Sequence, residues 1–253
     1  MLMAEESLFE VTVEHRDYER IALIADIHAN YPALVAVLED MEKRSFDGVI
    51  SLGDLVGYYT RPVEVLDATK PIIDIGVMGN HDWAAVDLSN PLYKIARPAA
   101  QRSLEFTNPL LREDQKKYLL HLPLKTILET PYGTATLVHG HPVTIFDYVY
   151  GPTTNLFLES IEKALAATTT DYLFVGHSHI QGEFYSDTGK IFVNPGSIGQ
   201  PRDNDFRAAY AIVDLKNKSN ELIRVPYDIE EVIDEVHQCH LPEELGSRLK
   251  FGV

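Results

Sequence analysis

Arg20-Ile-Ala-Leu-Ile-Ala-Asp26-Ile-His28, Gly48-Val-Ile-Ser-Leu-Gly-Asp54 and Ile72-Ile-Asp-Ile-Gly-Val-Met-Gly-Asn-His-Asp82 share one grammar. Each is a short apolar run that stops at Asp, Asn or His. Runs this short, bounded by polar and glycine residues, read as buried strands. Between the first two, Pro32 suits a first helical turn, and Leu34, Leu38 and Met41 recur at helical spacing. Residues 62–68 read as a second short helix, and 72–78 as the third strand. The order is β-α-β-α-β, with polar residues gathered at the C-terminal end of each strand. Ligands of open α/β sheets bind at that edge.

Outward from this unit the texture changes. Residues 92–121 read as helical, with an amphipathic piece at 112–120. Short strands follow at 126–129, 134–138, 173–175, 182–185, 191–193, 209–214 and 222–225, separated by turn residues. A helix at 155–167 interrupts them, and a final helix is predicted at 229–237. Residues 9–13 read as an edge strand. The later strands predict a second, mostly antiparallel sheet. Two sheets packed face to face with helices outside satisfy both halves, an α/β (α+β) class. No repeat or flexible linker divides the chain, so 1–253 is read as one domain, with the motifs in 20–201 and closing strands and a helix in 202–253.

The 253 residues are enough to bury about three quarters of the unfolded surface. Net charge is −16, from 38 acidic against 22 basic residues. That balance opposes binding to nucleic acid or anionic membrane. It says little about a small anionic substrate, because bound cations reverse the sign locally. Cys239 is the single cysteine, so no intrachain disulfide forms, which fits a reducing compartment. The opening MLMAEESLFE lacks a basic segment followed by an apolar run, and no stretch approaches the ~18 apolar residues of a membrane helix. A soluble, cytoplasmic protein is expected.

Five segments place metal-capable side chains after a strand, with glycine nearby: Asp26-Ile-His28, Gly53-Asp54, Gly79-Asn80-His81-Asp82, His139-Gly-His141 and Gly176-His177-Ser-His179. Their oxygen and imidazole donors suit Mn, Fe, Zn or Ni. On an extended segment positions i and i+2 face one side, so Asp26 with His28, or His177 with His179, can reach one ion. Singly, such residues are more often helix caps or hydrogen-bonded core histidines. Five in one chain, all at strand ends, point to a site.

In this order the motifs resemble the calcineurin-like metallophosphoesterases, over residues 20–201. Gly53-Asp-Leu-Val-Gly-Tyr58 and Asn194-Pro-Gly-Ser-Ile-Gly-Gln-Pro-Arg202 are similar to the smaller bacterial and archaeal branch described as phosphodiesterases. The resemblance implies a four-layer α-β-β-α sandwich of two mixed sheets, with two divalent transition metal ions at the strand ends. Manganese is expected first; Fe, Ni, Zn or Co suit the same donors. It implies that Asp26, His28 and His179 hold one ion, that Asn80, His139 and His177 hold the other, and that Asp54 bridges them. A hydroxide shared between the ions would attack phosphorus, with His81 as general acid or charge stabiliser and Asp82 orienting His81.

Three further residues carry paired readings. Asn30 is a substrate contact or an Asx turn, His141 a phosphate contact or a support for the ligands, and Arg202 a phosphate clamp or a loop arginine. The chain departs from the family at Ala29, where many relatives have glycine. No Asp-Arg-Gly follows Asp54, which argues against protein serine/threonine phosphatases and symmetrical dinucleoside tetraphosphatases. The expected activity is hydrolysis of a small or nucleotide-like phosphodiester. A dinucleoside polyphosphate hydrolase or phosphomonoesterase is the alternative, and a non-catalytic metal-binding scaffold is an alternative of another class. A small phosphate ester is the expected partner rather than nucleic acid or membrane. A homo-oligomer is compatible with the pattern.

Overall fold

Apolar runs and helical spacings alternate through the first third of the chain, and so do the elements they form. In the computed structural model, which describes residues 11–149 and 155–253, β1 (Thr12–His15) precedes β2 (Arg20–Ile24), α1 (Tyr31–Met41), β3 (Gly48–Ser51), α2 (Pro62–Thr69), β4 (Ile75–Gly76) and α3 (Asn80–Val86). Three short helices follow: α4 (Pro91–Ile95), α5 (Pro98–Thr107) and α6 (Glu113–His121). Then come β5 (Lys125–Thr130), β6 (Gly133–Val138), α7 (Asn155–Ala166), β7 (Tyr172–Phe174), β8 (Gly182–Tyr185) and β9 (Ile191–Asn194). β10 (Ala208–Asp214), β11 (Ser219–Val225), α8 (Ile229–Gln238) and α9 (Glu243–Leu249) close the chain.

The strands form two mixed sheets, ordered β11-β10-β2-β3-β4 and β1-β5-β6-β7-β9-β8. β2 shows why its sequence is apolar without alternation. Ile21, Leu23 and Ala25 face the other sheet, where they meet Leu137, Phe174 and Val193. Ala22 and Ile24 face the opposite way, onto Leu34, Val37 and Met41 of α1. A strand buried on both faces has no polar side to show. On the far side of the second sheet, Leu173 and Phe192 pack on Ile161, Ala164 and Leu165 of α7. These layers form the expected four-layer α-β-β-α sandwich.

Some expectations are corrected. The second sheet is not mostly antiparallel: β1–β5, β6–β7 and β7–β9 pair in parallel, and only β5–β6 and β8–β9 are antiparallel. The α7 crossover between β6 and β7 is the long connection a parallel return needs. β10 and β11 join the first sheet, where β10 pairs antiparallel to β2. The third strand is ladder-paired only at Ile75–Gly76, although Asp74 and Val77 donate their N–H groups to Val49 and Ser51 carbonyls. The 92–121 stretch breaks into three helices; Pro98 holds Arg97 extended at ψ 151°. The predicted final helix is followed by α9, behind Pro242. The edge strand falls at Thr12–His15; residues 9–10 of its predicted span lie outside the described residues. Among the described residues no helix is long and apolar enough to cross a membrane.

Candidate metal centre

The donor segments leave neighbouring strands at one edge of the sandwich. Asp26 and His28 follow β2, Asp54 follows β3, Asn80 opens α3, His139 follows β6, and His177 and His179 follow β7. Backbone hydrogen bonds carry the pairing on beyond the strands. Asp26 N–H donates to Gly53 O (2.9 Å), His28 N–H to Asp54 O (3.0 Å) and Gly176 N–H to His139 O (2.8 Å).

The side chains do not converge by strand alternation, as their i, i+2 spacing predicts. Asp26, His28, Asp54, His177 and His179 have φ of 53°, 52°, 55°, 63° and 59°. All five lie in the left-handed region, sparsely populated for residues with a Cβ, and such strain costs on the order of 1–3 kcal/mol at each position. Each loop turns sharply at its donor and throws the side chain inward. Gly79 meets the opposite demand. A Cβ there would collide with the carboxylate and amide of Asp54.

Both carboxylates are half committed. Asp26 Oδ2 accepts the His177 N–H (2.9 Å), and its other oxygen, Oδ1, is buried without a hydrogen-bond partner. Asp54 Oδ1 accepts the His81 N–H (2.8 Å), while Oδ2 lies 3.3 Å from His139 Nε2 and 3.7 Å from His28 Nε2. The imidazoles are oriented in the same way. His28, His139 and His179 place Nδ1 at 3.3, 2.7 and 2.5 Å from the carbonyls of Val56, Leu52 and Gln200. A carbonyl only accepts, so each Nδ1 carries a proton, and in the neutral ring each Nε2 presents a lone pair. His28 Nε2 and His179 Nε2 then face each other at 3.1 Å, and His179 Nε2 lies 3.3 Å from Asp26 Oδ1. His139 Nε2 is 3.1 Å from Asn80 Oδ1.

Lone pairs aimed at lone pairs beside an orphaned carboxylate oxygen need cations among them. The donors form three buried groups, Asp26–His28–His179, Asp54–His139–His177 and His28–Asp54–His81. The residues therefore fit divalent transition metals. Burial holds His28 and His177 well below the ordinary imidazole value and lowers His179, so these rings are neutral donors. Burial also opposes ionisation of Asp54, yet the surrounding histidines, His139 foremost, hold it well below the usual carboxylate range. His139 feels the same burial, but the Asp54 carboxylate overrides it and lifts the ring to about 9.

Asp82 does not hydrogen-bond His81, contrary to the sequence expectation. Its Oδ1 accepts the N–H groups of Leu55 (2.8 Å) and Val56 (3.2 Å), and its Oδ2 those of Asp54 (2.8 Å) and Gly79 (3.0 Å). Burial and the neighbouring Asp54 charge push this carboxyl up to about 7, against the pull of the amides. Its work is to shape the loop that carries Asp54. His81 instead keeps a buried, unpartnered Nδ1, and burial lowers it to about 4.

A cleft of about 280 Å³ opens above the donors. Tyr58, Asn80, His81, His177 and Arg202 form its floor and one side, and Leu92, Ala96, Arg97, Ala100, Phe146 and Tyr148 the rest. Tyr58 packs its ring 4.5 Å from both His28 and His81. Tyr148 stacks on His177 at 4.1 Å. Arg202 is held by Tyr58 Oη (3.2 Å) and Gln200 Oε1 (2.8 Å). Of the other proposed substrate contacts, Asn30 is fully buried and committed. Its Oδ1 caps α1 through Ala33 N–H, and its Nδ2 donates to Gly199 O. This is an N-cap rather than an Asx turn, because Pro32 at the second position has no N–H to give, and a fully buried Asn30 is not a substrate contact. His141 turns Nδ1 back onto Val143 N–H (3.2 Å) and does not line the cleft. Tyr148, Phe146 and Arg97 escape sequence reading because no motif surrounds them. Only folding brings their loops over the strand ends.

Residues 20–218 match the profile of the calcineurin-like phosphoesterase superfamily domain. An uncharacterized protein of Methanocaldococcus jannaschii is 34% identical over 92% of this chain and 98% of its own. A metallophosphoesterase from Sphaerobacter thermophilus superposes with a TM-score of 0.76 at 32% identity, covering 93% of this chain and 100% of that one. A hypothetical protein from Pyrococcus horikoshii OT3 gives a TM-score of 0.81 at 26% identity, over 92% and 98% of the two chains.

Proposed function

We propose, since the chain belongs to the calcineurin-like phosphoesterase superfamily, that this phosphoesterase hydrolyses a small or nucleotide-like phosphodiester at a dinuclear metal centre. The observation that carries the reading is the pair of half-committed carboxylates, each offering its remaining oxygen to a set of buried imidazoles.

Asp26, His28 and His179 would hold one ion, Asn80, His139 and His177 the other, and Asp54 Oδ2 sits where both sets meet. When bound, the ions supply Lewis acidity toward the phosphoryl oxygens and a nucleophile from water near neutral pH. Manganese is the proposed first choice, and the donors suit Fe, Ni, Zn or Co as well. The protein residues do the rest. Arg202, pre-set by Tyr58 and Gln200, meets a phosphoryl oxygen with its guanidinium. Neutral His81 lines the cleft and donates an N–H to the leaving oxygen, stabilising charge as it develops there. Asp82 keeps Asp54 in register. The largely uncharged upper wall accommodates an ester group on the phosphate, which favours a diester over a bare monoester.

The test is turnover of bis-p-nitrophenyl phosphate against p-nitrophenyl phosphate by metal-stripped protein reloaded with Mn, beside Asp54→Asn. Metal-dependent turnover that favours the diester and falls by at least about 10³ in the variant is expected, the scale of losing a group that acts at the reacting centre. An undiminished rate in Asp54→Asn would remove the bridging assignment. Two bound ions with no turnover on any ester would favour the scaffold reading.

A further inference from the structure

The cleft is a cationic opening in an acidic molecule. The chain carries −16, yet among the described residues no Asp or Glu lines the cleft wall. Eight of the eleven arginines, at 16, 20, 44, 61, 102, 112, 207 and 224, pair with a carboxylate. Among the described residues, Arg97, Arg202 and Arg248 have no carboxylate partner, and two of these three line the same cleft. In a chain with 38 acidic residues, leaving both unpaired keeps their charge available to an incoming anion.

The two arginines are differently placed. Arg202 is half-buried beside His81 and Tyr58, at the reacting end. Arg97 is exposed on the α4–α5 connection. It occupies the N-cap position of α5 without giving its side chain to the cap. Its backbone is fixed on both sides. Ala96 is extended at ψ 149°, and Pro98 keeps Arg97 extended at ψ 151°. The guanidinium therefore starts from a rigid base at the cleft and, among the described residues, has no side-chain bond to break before it meets a ligand.

We propose that Arg97 binds a second phosphate of the substrate, separate from the one that reacts. This rests on the phosphoesterase reading above and narrows its substrate class to phosphodiesters that carry a further phosphate group. Arg202 and the metal-binding floor would engage the reacting phosphate, the uncharged wall of Leu92, Ala96 and Phe146 the organic part between, and Arg97 the second anion.

The experiment compares two esters that differ in one phosphate: the p-nitrophenyl ester of thymidine 5′-phosphate and the same molecule bearing a 3′-phosphate. With Mn-loaded wild type the 3′-phosphate is expected to raise kcat/KM about tenfold, mainly through KM, as one charge-assisted contact does. The ratio between the two esters should fall to near one in Arg97→Ala and be partly kept in Arg97→Lys. Arg248→Ala, which removes an equally unpaired arginine outside the cleft, should keep the wild-type ratio. Equal kcat/KM for both esters in wild type, or a ratio that survives Arg97→Ala, overturns this inference alone. Turnover of neither ester, with bis-p-nitrophenyl phosphate also inert, overturns the phosphoesterase reading with it.

Discussion

Replacing Asp82 by asparagine removes one acceptor atom and changes almost nothing else in volume. The carboxylate serves four buried amides through two oxygens, Leu55 and Val56 on Oδ1, Asp54 and Gly79 on Oδ2. An asparagine keeps one oxygen and turns an NH₂ group toward the other pair of N–H donors, so two amides lose their acceptor whichever way the amide faces. An orphaned buried donor costs about 1–3 kcal/mol, which makes the substitution worth about 2–6 kcal/mol. For a chain of this size that lowers Tm by roughly 5–20 °C. Because two of the four amides belong to Asp54 and its neighbour Leu55, metal affinity should fall as well, by about the 10–100-fold seen when a support of a metal ligand is removed. Calorimetric melts of chelator-treated protein and a Mn titration followed by the free-ion resonance read both effects. A variant that melts within about 2 °C of wild type and binds Mn equally well would refute the assignment of Asp82 as the support of the Asp54 loop.

Gly79→Ala should fold poorly or bind no metal, because its Cβ would meet both the carboxylate and the amide of Asp54; normal Mn binding would contradict the close approach. Asn30→Ala should cost about 1–2 kcal/mol of stability through the lost α1 cap and leave KM for bis-p-nitrophenyl phosphate unchanged; a several-fold rise in KM would restore Asn30 as a substrate contact. In metal-free protein the pH dependence of Tm has a definite sign. His28, His81, His177 and His179 are depressed below the ordinary value of 6.5, so they weaken the fold as pH drops below 6.5. His139, raised to about 9, adds stability that is full below 6.5 and lost as pH climbs to about 9. Melts should peak near neutrality, and a flat profile between pH 5 and 9 would contradict these environments.

The site was more legible than the sheets that carry it. Asp26, His28, Asp54, Asn80, His139, His177 and His179 declare themselves because donor-rich segments at strand ends are improbable without a ligand, and the structure brings all seven to one edge. Sheet membership left no comparable mark. β10 is buried on both faces, and its apolar run, Ala208–Val213, reads the same in either sheet. The role of Asp82 was hidden because its partners are backbone amides, which every residue offers. Arg97 and Tyr148 were hidden because contacts across a cleft have no fixed sequence spacing. The i, i+2 rule led to the right residues for the wrong reason: the turns that aim them are left-handed, a property of φ that Asp and His do not announce.

Those left-handed turns set stability against activity in this molecule. At Asp26, His28, Asp54, His177 and His179 the backbone would be more relaxed with asparagine or glycine. Selection for a more heat-resistant chain, blind to turnover, would discard the donors first. A library screened only for solubility or melting temperature should therefore drift toward a well-folded, empty shell of the enzyme, whereas one grown under demand for phosphoester cleavage should hold these five positions and find its added stability in the helices outside.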